Sequence, residues 1–328
     1  MHTSPTGILL SNLGSPDEPT TESVRRYLKE FLSDPKVVNI SRILWLPILH
    51  GIILRTRPQR SAKIYKKIWT DTGSPLINIA KQQRSSIQNE LSQRGFHNLH
   101  VRLGMRYGRP SLDDALRELR GQQVKKIILL PLYPQYAEST TASTIERSQQ
   151  IIDSWLTPAT LHSITDYHDN PAYITALANS IRQHWAQHGH AEKLLFSFHG
   201  IPKRASLAGD PYHQQCLQTA QLIAQELNLD ETHWLTSFQS RFGRAEWITP
   251  YTDQTLKEWG QQGIRHVQVI CPGFSADCLE TLEEIEMENR EYFIQAGGQH
   301  YEYIPALNDG QEHIKALCDL IEDHLYRD

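Results

Sequence analysis

Lys126-Ile127-Ile128-Leu129-Leu130-Pro131-Leu132-Tyr133 and, in the second half of the chain, His266-Val267-Gln268-Val269-Ile270-Cys271-Pro272-Gly273-Phe274 follow one pattern. Each is a short leucine-rich or β-branched run, then a proline, an aromatic residue and a polar loop that opens a helix-like stretch. Near-continuous apolar runs of this length read as strands covered on both faces, the signature of parallel sheets. Working outward, similar runs recur at residues 8–13, 99–103 and 160–164 around the first, and at 194–198, 233–238 and 300–303 around the second. Between them lie stretches with apolar residues at three- and four-residue spacing, so strand and helix alternate. The pattern predicts an α/β protein of two similar halves, each a four-stranded parallel sheet flanked by helices. The first domain is placed at 1–168 and the second at 169–308, with a hinge near 166–171 and a last helix within 309–328 that packs back on the first half.

The composition removes several function classes. At 39% hydrophobic and 21% charged residues, the 328-residue chain has the make-up of an ordinary folded protein, long enough for two mid-sized domains. A formal net charge of -4 supplies no basic field for nucleic acid. Cys216, Cys271, Cys278 and Cys318 form no C-x-x-C pair, so they read as reduced thiols, Cys216 and Cys278 as small buried hydrophobes. The apolar start at residues 7–13 is too short for an export signal, and the expected location is the cytoplasm. The greasiest segment, residues 43–54, is broken by Pro47, His50 and Gly51 and falls short of the ~20 residues that span a bilayer. It can still touch a membrane surface from the inner side, and Trp45 and Leu46 are read equally as part of such a lip or as core.

Ligands of open parallel sheets bind outside the carboxyl ends of the strands. The loops to inspect are therefore Asn12-Leu13-Gly14-Ser15-Pro16, Arg106-Tyr107-Gly108, Tyr133-Pro134-Gln135-Tyr136 and Ser197-Phe198-His199-Gly200. None carries a glycine-rich phosphate cradle, which disfavours a nucleotide enzyme. His199 ends an apolar strand, a position that presents an imidazole as general base or metal ligand. Downstream, Asp277-Cys278-Leu279-Glu280-Thr281-Leu282-Glu283-Glu284-Ile285-Glu286-Met287-Glu288 separates into faces. On a helix, Glu280, Glu284 and Glu288 line one side with Asp277 beside them, and Cys278, Leu282 and Ile285 form the apolar stripe. A solvated acidic face is the commoner reading of such a run. Yet carboxylates ~6 Å apart repel by roughly 3 kcal/mol at an effective dielectric of 20, so the row also suits bound cations or shared protons.

Over essentially its whole length the sequence resembles the ferrochelatase family. The likeness rests on Leu195-Phe196-Ser197-Phe198-His199-Gly200-Ile201-Pro202, on Gly209-Asp210-Pro211-Tyr212, on Gln239-Ser240-Arg241 before Trp247, on the acidic stretch from Asp277, and on the three first-half loops. The resemblance implies two Rossmann-like halves with a porphyrin cleft between them and an enzyme that inserts ferrous iron into protoporphyrin IX, the last step of haem biosynthesis. It implies His199 and Glu280 as catalytic groups on opposite sides of the macrocycle, with His199, Glu280, Glu284 and Glu288 as metal-handling residues. A π-type distortion of the acidic helix would bring the three glutamates into line. Leu13, Arg55, Arg57, Ser74, Arg106, Tyr107 and Tyr133 are the implied substrate contacts. Relatives with an iron–sulfur cluster carry a cysteine where this chain has Glu138, so no cluster and no tightly bound cofactor is expected, ferrous iron being a substrate. Leu13, where users of coproporphyrin III tend to carry tyrosine, favours protoporphyrin; Arg55-Thr56-Arg57 splits the arginine pair that often holds propionates. A cobalt or iron chelatase of a corrin precursor would share the fold but is expected to carry a second histidine in place of Glu280. A porphyrin carrier on the same scaffold would retain its ligand without turnover. No protein partner and no nucleic acid are expected.

Overall fold

The computed structural model describes residues 5–243 and 245–326. Among them, eight strands form two four-stranded sheets. The first holds β1 (Thr6–Asn12), β2 (Leu99–Met105), β3 (Lys126–Pro131) and β4 (Thr160–Ser163) in the order β2-β1-β3-β4. The second holds β5 (Lys193–His199), β6 (Trp234–Gln239), β7 (His266–Ile270) and β8 (His300–Ile304) in the order β6-β5-β7-β8. Every pairing is parallel, and the two sheets repeat one strand order. Each of the eight predicted strands is present, with ends shifted by two residues at most.

The continuous apolar runs form strands here because both faces are covered. Six of the seven residues of β1 are buried, and Leu9, Ile127 and Leu129 join Leu112, Leu116 and Ile152 in one core. In the second sheet Leu195, Val267 and Val269 pack with Ile285, Phe293 and Tyr301. Burying each such side chain contributes about 1.5–3 kcal/mol, so these cores dominate the stability of the sheets. The echo between the halves extends beyond the strands. After β3 a π-helical turn runs over Glu138–Ala142, and after β7 a longer one over Glu280–Asn289.

The chain divides into two compact units, Met1–Tyr133 with Ala137–Asp166 and Ile314–Asp328, and Pro134–Tyr136 with Tyr167–His313. Pro134–Tyr136 belongs to the second because Gln135 Nε2 donates to Thr219 Oγ1 at 2.9 Å and the Tyr136 amide to Gln215 Oε1 at 2.6 Å. The last helix, Gln311–Leu325, reaches the first unit through Asp319 and Glu322, which take Arg94 at 2.6 and 2.8 Å. All four cysteines are free and buried.

The greasy segment splits into two roles. Trp45 is core, 8% exposed, and its indole donates to the Leu32 carbonyl at 2.7 Å, while Leu46 packs against the same cluster. Trp45 therefore cannot form a lip, since a ring that satisfies its N–H inside the fold is not offered to a membrane, while Leu46 is partly buried beside it. The exposed apolar surface lies instead on Ile43 at 84%, Leu44 at 64% and Ile52 at 58%, with Ile48 beside them.

Candidate active site

His199 is the last residue of β5 and pairs across the sheet with Gln239, the last residue of β6. The Gly200 amide donates to the Gln239 carbonyl at 2.8 Å, and a Cβ at Gly200 would lie 3.0 Å from that oxygen and 3.1 Å from the Trp247 ring. A side chain there would press on both neighbours, so glycine lets the two strand ends close without displacing them. His199 Nδ1 sits 2.7 Å from the Gly200 carbonyl oxygen. A carbonyl can only accept, so Nδ1 carries the proton of that bond, and in the neutral form of the ring the lone pair lies on Nε2.

Gln239 links the histidine strand to the acidic helix. Its Nε2 donates to the Glu280 carbonyl at 2.9 Å and to Glu284 Oε2 at 3.4 Å, and its Oε1 accepts from Ser197 Oγ at 2.8 Å. Ser240 follows with φ of 65°, a left-handed conformation that a non-glycine residue adopts only when its surroundings hold it there. The conformation aims both Ser240 donors at one carboxylate: the amide donates to Glu284 Oε1 at 2.7 Å and the hydroxyl to Oε2. Burial pushes the Glu284 carboxyl up to about 7, against the pull of the Ser240 hydrogen bonds and with the help of the Glu280 charge. Glu284 is therefore poised to exchange protons near neutral pH.

The row runs outward from partly buried Glu280 and Glu284 to exposed Glu288, which accepts from the Tyr292 hydroxyl at 2.6 Å. Asp277 does not join it. Its carboxylate is buried and accepts from Thr281 Oγ1 at 3.0 Å, Tyr303 OH at 2.6 Å and Asn308 Nδ2 at 2.8 Å. The helical-face reading set Asp277 beside the glutamates; the residue instead precedes the helix and anchors its start. The apolar stripe is as expected, with Cys278 and Ile285 buried and Leu282 packed on the core.

Folded and unfolded Glu284 differ in proton affinity, so stability must depend on pH. The raised carboxyl favours the protonated form in the native state. Its contribution is present below the ordinary glutamate pKa, is lost as pH rises through about 7, and is constant above that. Glu284→Gln removes the cost of the buried charge and is expected to stabilise the protein by about 2 kcal/mol at pH 8, and by far less at pH 4.5. Urea unfolding at the two pH values checks this; equal effects at both would show that Glu284 is not the titrating group.

In the first unit, the Arg106 and Tyr107 amides donate to the Asn12 and Leu13 carbonyls at 2.8 and 2.9 Å, joining two of the sequence motifs. Gly14, at φ of 109°, is required there because a Cβ would sit 1.8 Å from the Tyr107 carbonyl oxygen. Asp34, which the sequence reading did not single out, organises this corner. Its Oδ2 accepts from the Tyr107 hydroxyl at 2.8 Å, from Ser143 Oγ at 2.6 Å and from the Arg106 guanidinium. Leu13 and Tyr133 are partly buried, Ser74 is buried at the start of the helix Pro75–Gln93, and Arg55 and Arg57 lie exposed on the helix Leu54–Ile68. Beside Arg106 opens a polar cavity of about 340 Å³ lined also by Glu30, Asp113 and Arg147.

The family model described as Ferrochelatase matches residues 5–325. The chain belongs to the ferrochelatase family. Curated ferrochelatases similar to it include that of Nitrosococcus oceani, 52% identical over 97% of this chain and 86% of that one. The ferrochelatase of Aeromonas hydrophila is 51% identical over 97% of this chain and 98% of that one. Membership makes the chain an enzyme of metal insertion into porphyrin, with iron as substrate. Among solved structures, SirB from Bacillus subtilis with Fe3+ is similar at a TM-score of 0.55 and 11% identity, covering 97% of this chain and 95% of that one. CbiX, described as the terminal enzyme of sirohaem biosynthesis in denitrifying bacteria, follows at 0.50 and 12%, covering 97% and 98%. At such identities the likeness shows the shared two-domain chelatase fold alone.

Proposed function

We propose that this ferrochelatase inserts ferrous iron into protoporphyrin IX, releasing two protons and protohaem, through His199 and Glu280. The observation that carries the reading is the bridge of Gln239, which ties the strand end of His199 to the helix of Glu280. A planar porphyrin resists entry of a cation through its centre, so the protein's task is to hold the ring bent and remove the pyrrole protons. His199 Nε2 accepts a pyrrole proton or holds the iron. Glu280 acts on the other face of the ring, and Glu284 and Glu288 pass cations or protons between that face and solvent. Leu13, Arg55, Arg57, Ser74, Arg106 and Tyr133 remain the proposed contacts to the macrocycle. Tyr107, 1% exposed with its hydroxyl on Asp34 and its ring 4.5 Å from the Arg106 guanidinium, supports Arg106 instead. Glu280, where a corrin-precursor chelatase is expected to carry histidine, supports the porphyrin reading.

Substrate choice rests on Leu13. Anaerobic incubation with ferrous iron, followed by macrocycle fluorescence, is expected to give a higher kcat/KM for protoporphyrin than for coproporphyrin III. A tenfold preference for coproporphyrin would reverse the assignment, and tight retention of haem without turnover would make the protein a carrier.

The proposed location is the cytoplasm, with peripheral contact at the inner face of the membrane. No helix among the described residues is long and apolar enough to cross a bilayer. Ile43, Leu44, Ile48 and Ile52 offer an apolar surface by which an apolar porphyrin could be collected. Replacing Ile43 and Leu44 with serine is expected to weaken liposome association and leave the unfolding midpoint unchanged. Trp45→Ser is expected instead to cost about 3 kcal/mol of stability through loss of core packing. Liposome binding that survives the Ile43 and Leu44 changes would remove the proposed contact.

A further inference from the structure

The second sheet carries another cluster at its opposite end. His184 and His188 lie one turn apart at the end of the helix Pro171–His188, with their rings stacked at 4.4 Å. Facing them is Glu302 of β8, the edge strand. His184 Nε2 is 3.2 Å from Glu302 Oε2, and His188 Nδ1 is 3.8 Å from Oε1. One ligand atom from each of the three residues falls within 4.8 Å of the other two. Those two separations run to different oxygens of one carboxylate. In a tetrahedral site with metal–ligand bonds of 2.0–2.1 Å, neighbouring donors lie about 3.4 Å apart. A small side-chain adjustment, with loss of the proton shared between His184 Nε2 and Oε2, brings the three groups to that spacing.

Two further features suit a cation there. Gln268, fully buried, donates to Glu302 Oε2 and to the Gly189 carbonyl at 3.0 Å, while its Oε1 accepts from the Trp185 indole at 2.8 Å. His266 Nε2 approaches the same Oε2 at 3.3 Å. Oε2 is thus held from several sides, while Oε1 is turned toward His188, whose ring takes no part in that network; such outer partners orient a ligating carboxylate. The cluster also sits at the carboxyl end of an 18-residue helix, where the backbone dipole favours positive charge.

We propose that His184, His188 and Glu302 form a second site, for a divalent first-row transition cation, which clamps the end of this helix to the edge strand. Two imidazoles and one carboxylate suit zinc, cobalt or ferrous iron better than calcium or magnesium, which prefer oxygen ligands throughout. The histidine pair at i and i+4 is the spacing by which one helix face presents two nitrogens to one metal. The site is separate from His199. Gln268, next to Glu302, pairs with Leu194 at the start of β5, and His199 ends that strand about 17 Å further on.

The test uses cobalt(II), whose visible bands report tetrahedral binding, on full-length protein carrying His199→Ala, Glu280→Gln, Glu284→Gln and Glu288→Gln to silence the other metal-handling groups. One tightly bound cobalt per chain is expected, with a rise in unfolding midpoint of about 5 °C or more at a hundredfold excess over Kd. Adding His188→Ala, or separately Glu302→Gln, is expected to weaken that binding by about 100-fold or more and abolish the shift. Exposed His188 can be truncated without loss of fold, and Glu302→Gln keeps the side-chain volume if it cannot. In the otherwise unchanged protein, His188→Ala should leave porphyrin metallation as it was. Cobalt binding and midpoint shift that are the same with and without both changes, or no tight cobalt at all, would overturn the site whatever the porphyrin assay gives.

Discussion

His199→Ala and Glu280→Gln are each expected to reduce metal insertion by about 100- to 10,000-fold while porphyrin still binds. Each change deletes a group proposed to act on the iron or on the displaced pyrrole protons, and neither disturbs the hydrogen bonds that hold the strand ends together. Gln239 contacts the Glu280 main-chain carbonyl, not its carboxylate, so Glu280→Gln leaves that bridge intact. Glu284→Gln should slow turnover by only about tenfold, as a relay one turn back need not touch the ring. Glu286→Gln is the control. Its carboxylate lies 3.7 Å from Arg290 near the surface, where ion pairs contribute little, and turnover should stay at the wild-type level. Rapid-mixing metallation and porphyrin fluorescence quenching separate chemistry from binding. The assignment fails if His199→Ala turns over normally or if Glu286→Gln is as damaging as Glu280→Gln.

Asp34→Ala is expected to cost about 3–5 kcal/mol of stability, the largest loss among single substitutions in the first unit outside the apolar core. Burial works to raise the Asp34 pKa, but the hydrogen bonds of Ser143, Tyr107 and the Lys36 amide, together with the Arg106 charge, hold it below the usual value. Removing the carboxylate leaves one guanidinium and two hydroxyls without their shared acceptor. Because the folded pKa is depressed, the stability that Asp34 adds is present above the ordinary aspartate pKa and is lost as pH falls through the folded value. The gap between wild type and Asp34→Ala should therefore be full at pH 7 and shrink below about pH 4. Denaturant unfolding across that range measures it, and a gap independent of pH would assign the loss to packing instead.

Much of the architecture follows from local pattern. Runs such as 126–130 and 266–270 are apolar on both faces, and a strand apolar on both faces has few stable homes except a covered parallel sheet. The His199-Gly200 pair and the spacing of Glu280, Glu284 and Glu288 were equally legible, since strand-end placement and helical periodicity are properties of neighbouring residues. Three outcomes required the folded chain. Trp45 is core because Leu32, distant in sequence, offers its indole a carbonyl; hydropathy alone treats an apolar lip and an apolar core alike. Asp34 follows an ordinary helix and has no motif, and its role arises only when Arg106, Tyr107 and Ser143 converge on it. The same holds for Glu284 and Asp277, two acidic residues of one stretch. Ser240 and burial carry the first to about 7, whereas Tyr303, Thr281 and Asn308 make the second an anchor. Periodicity determines which way a carboxylate points from its own helix, but its proton affinity depends on the dielectric and the donors that other segments bring to it.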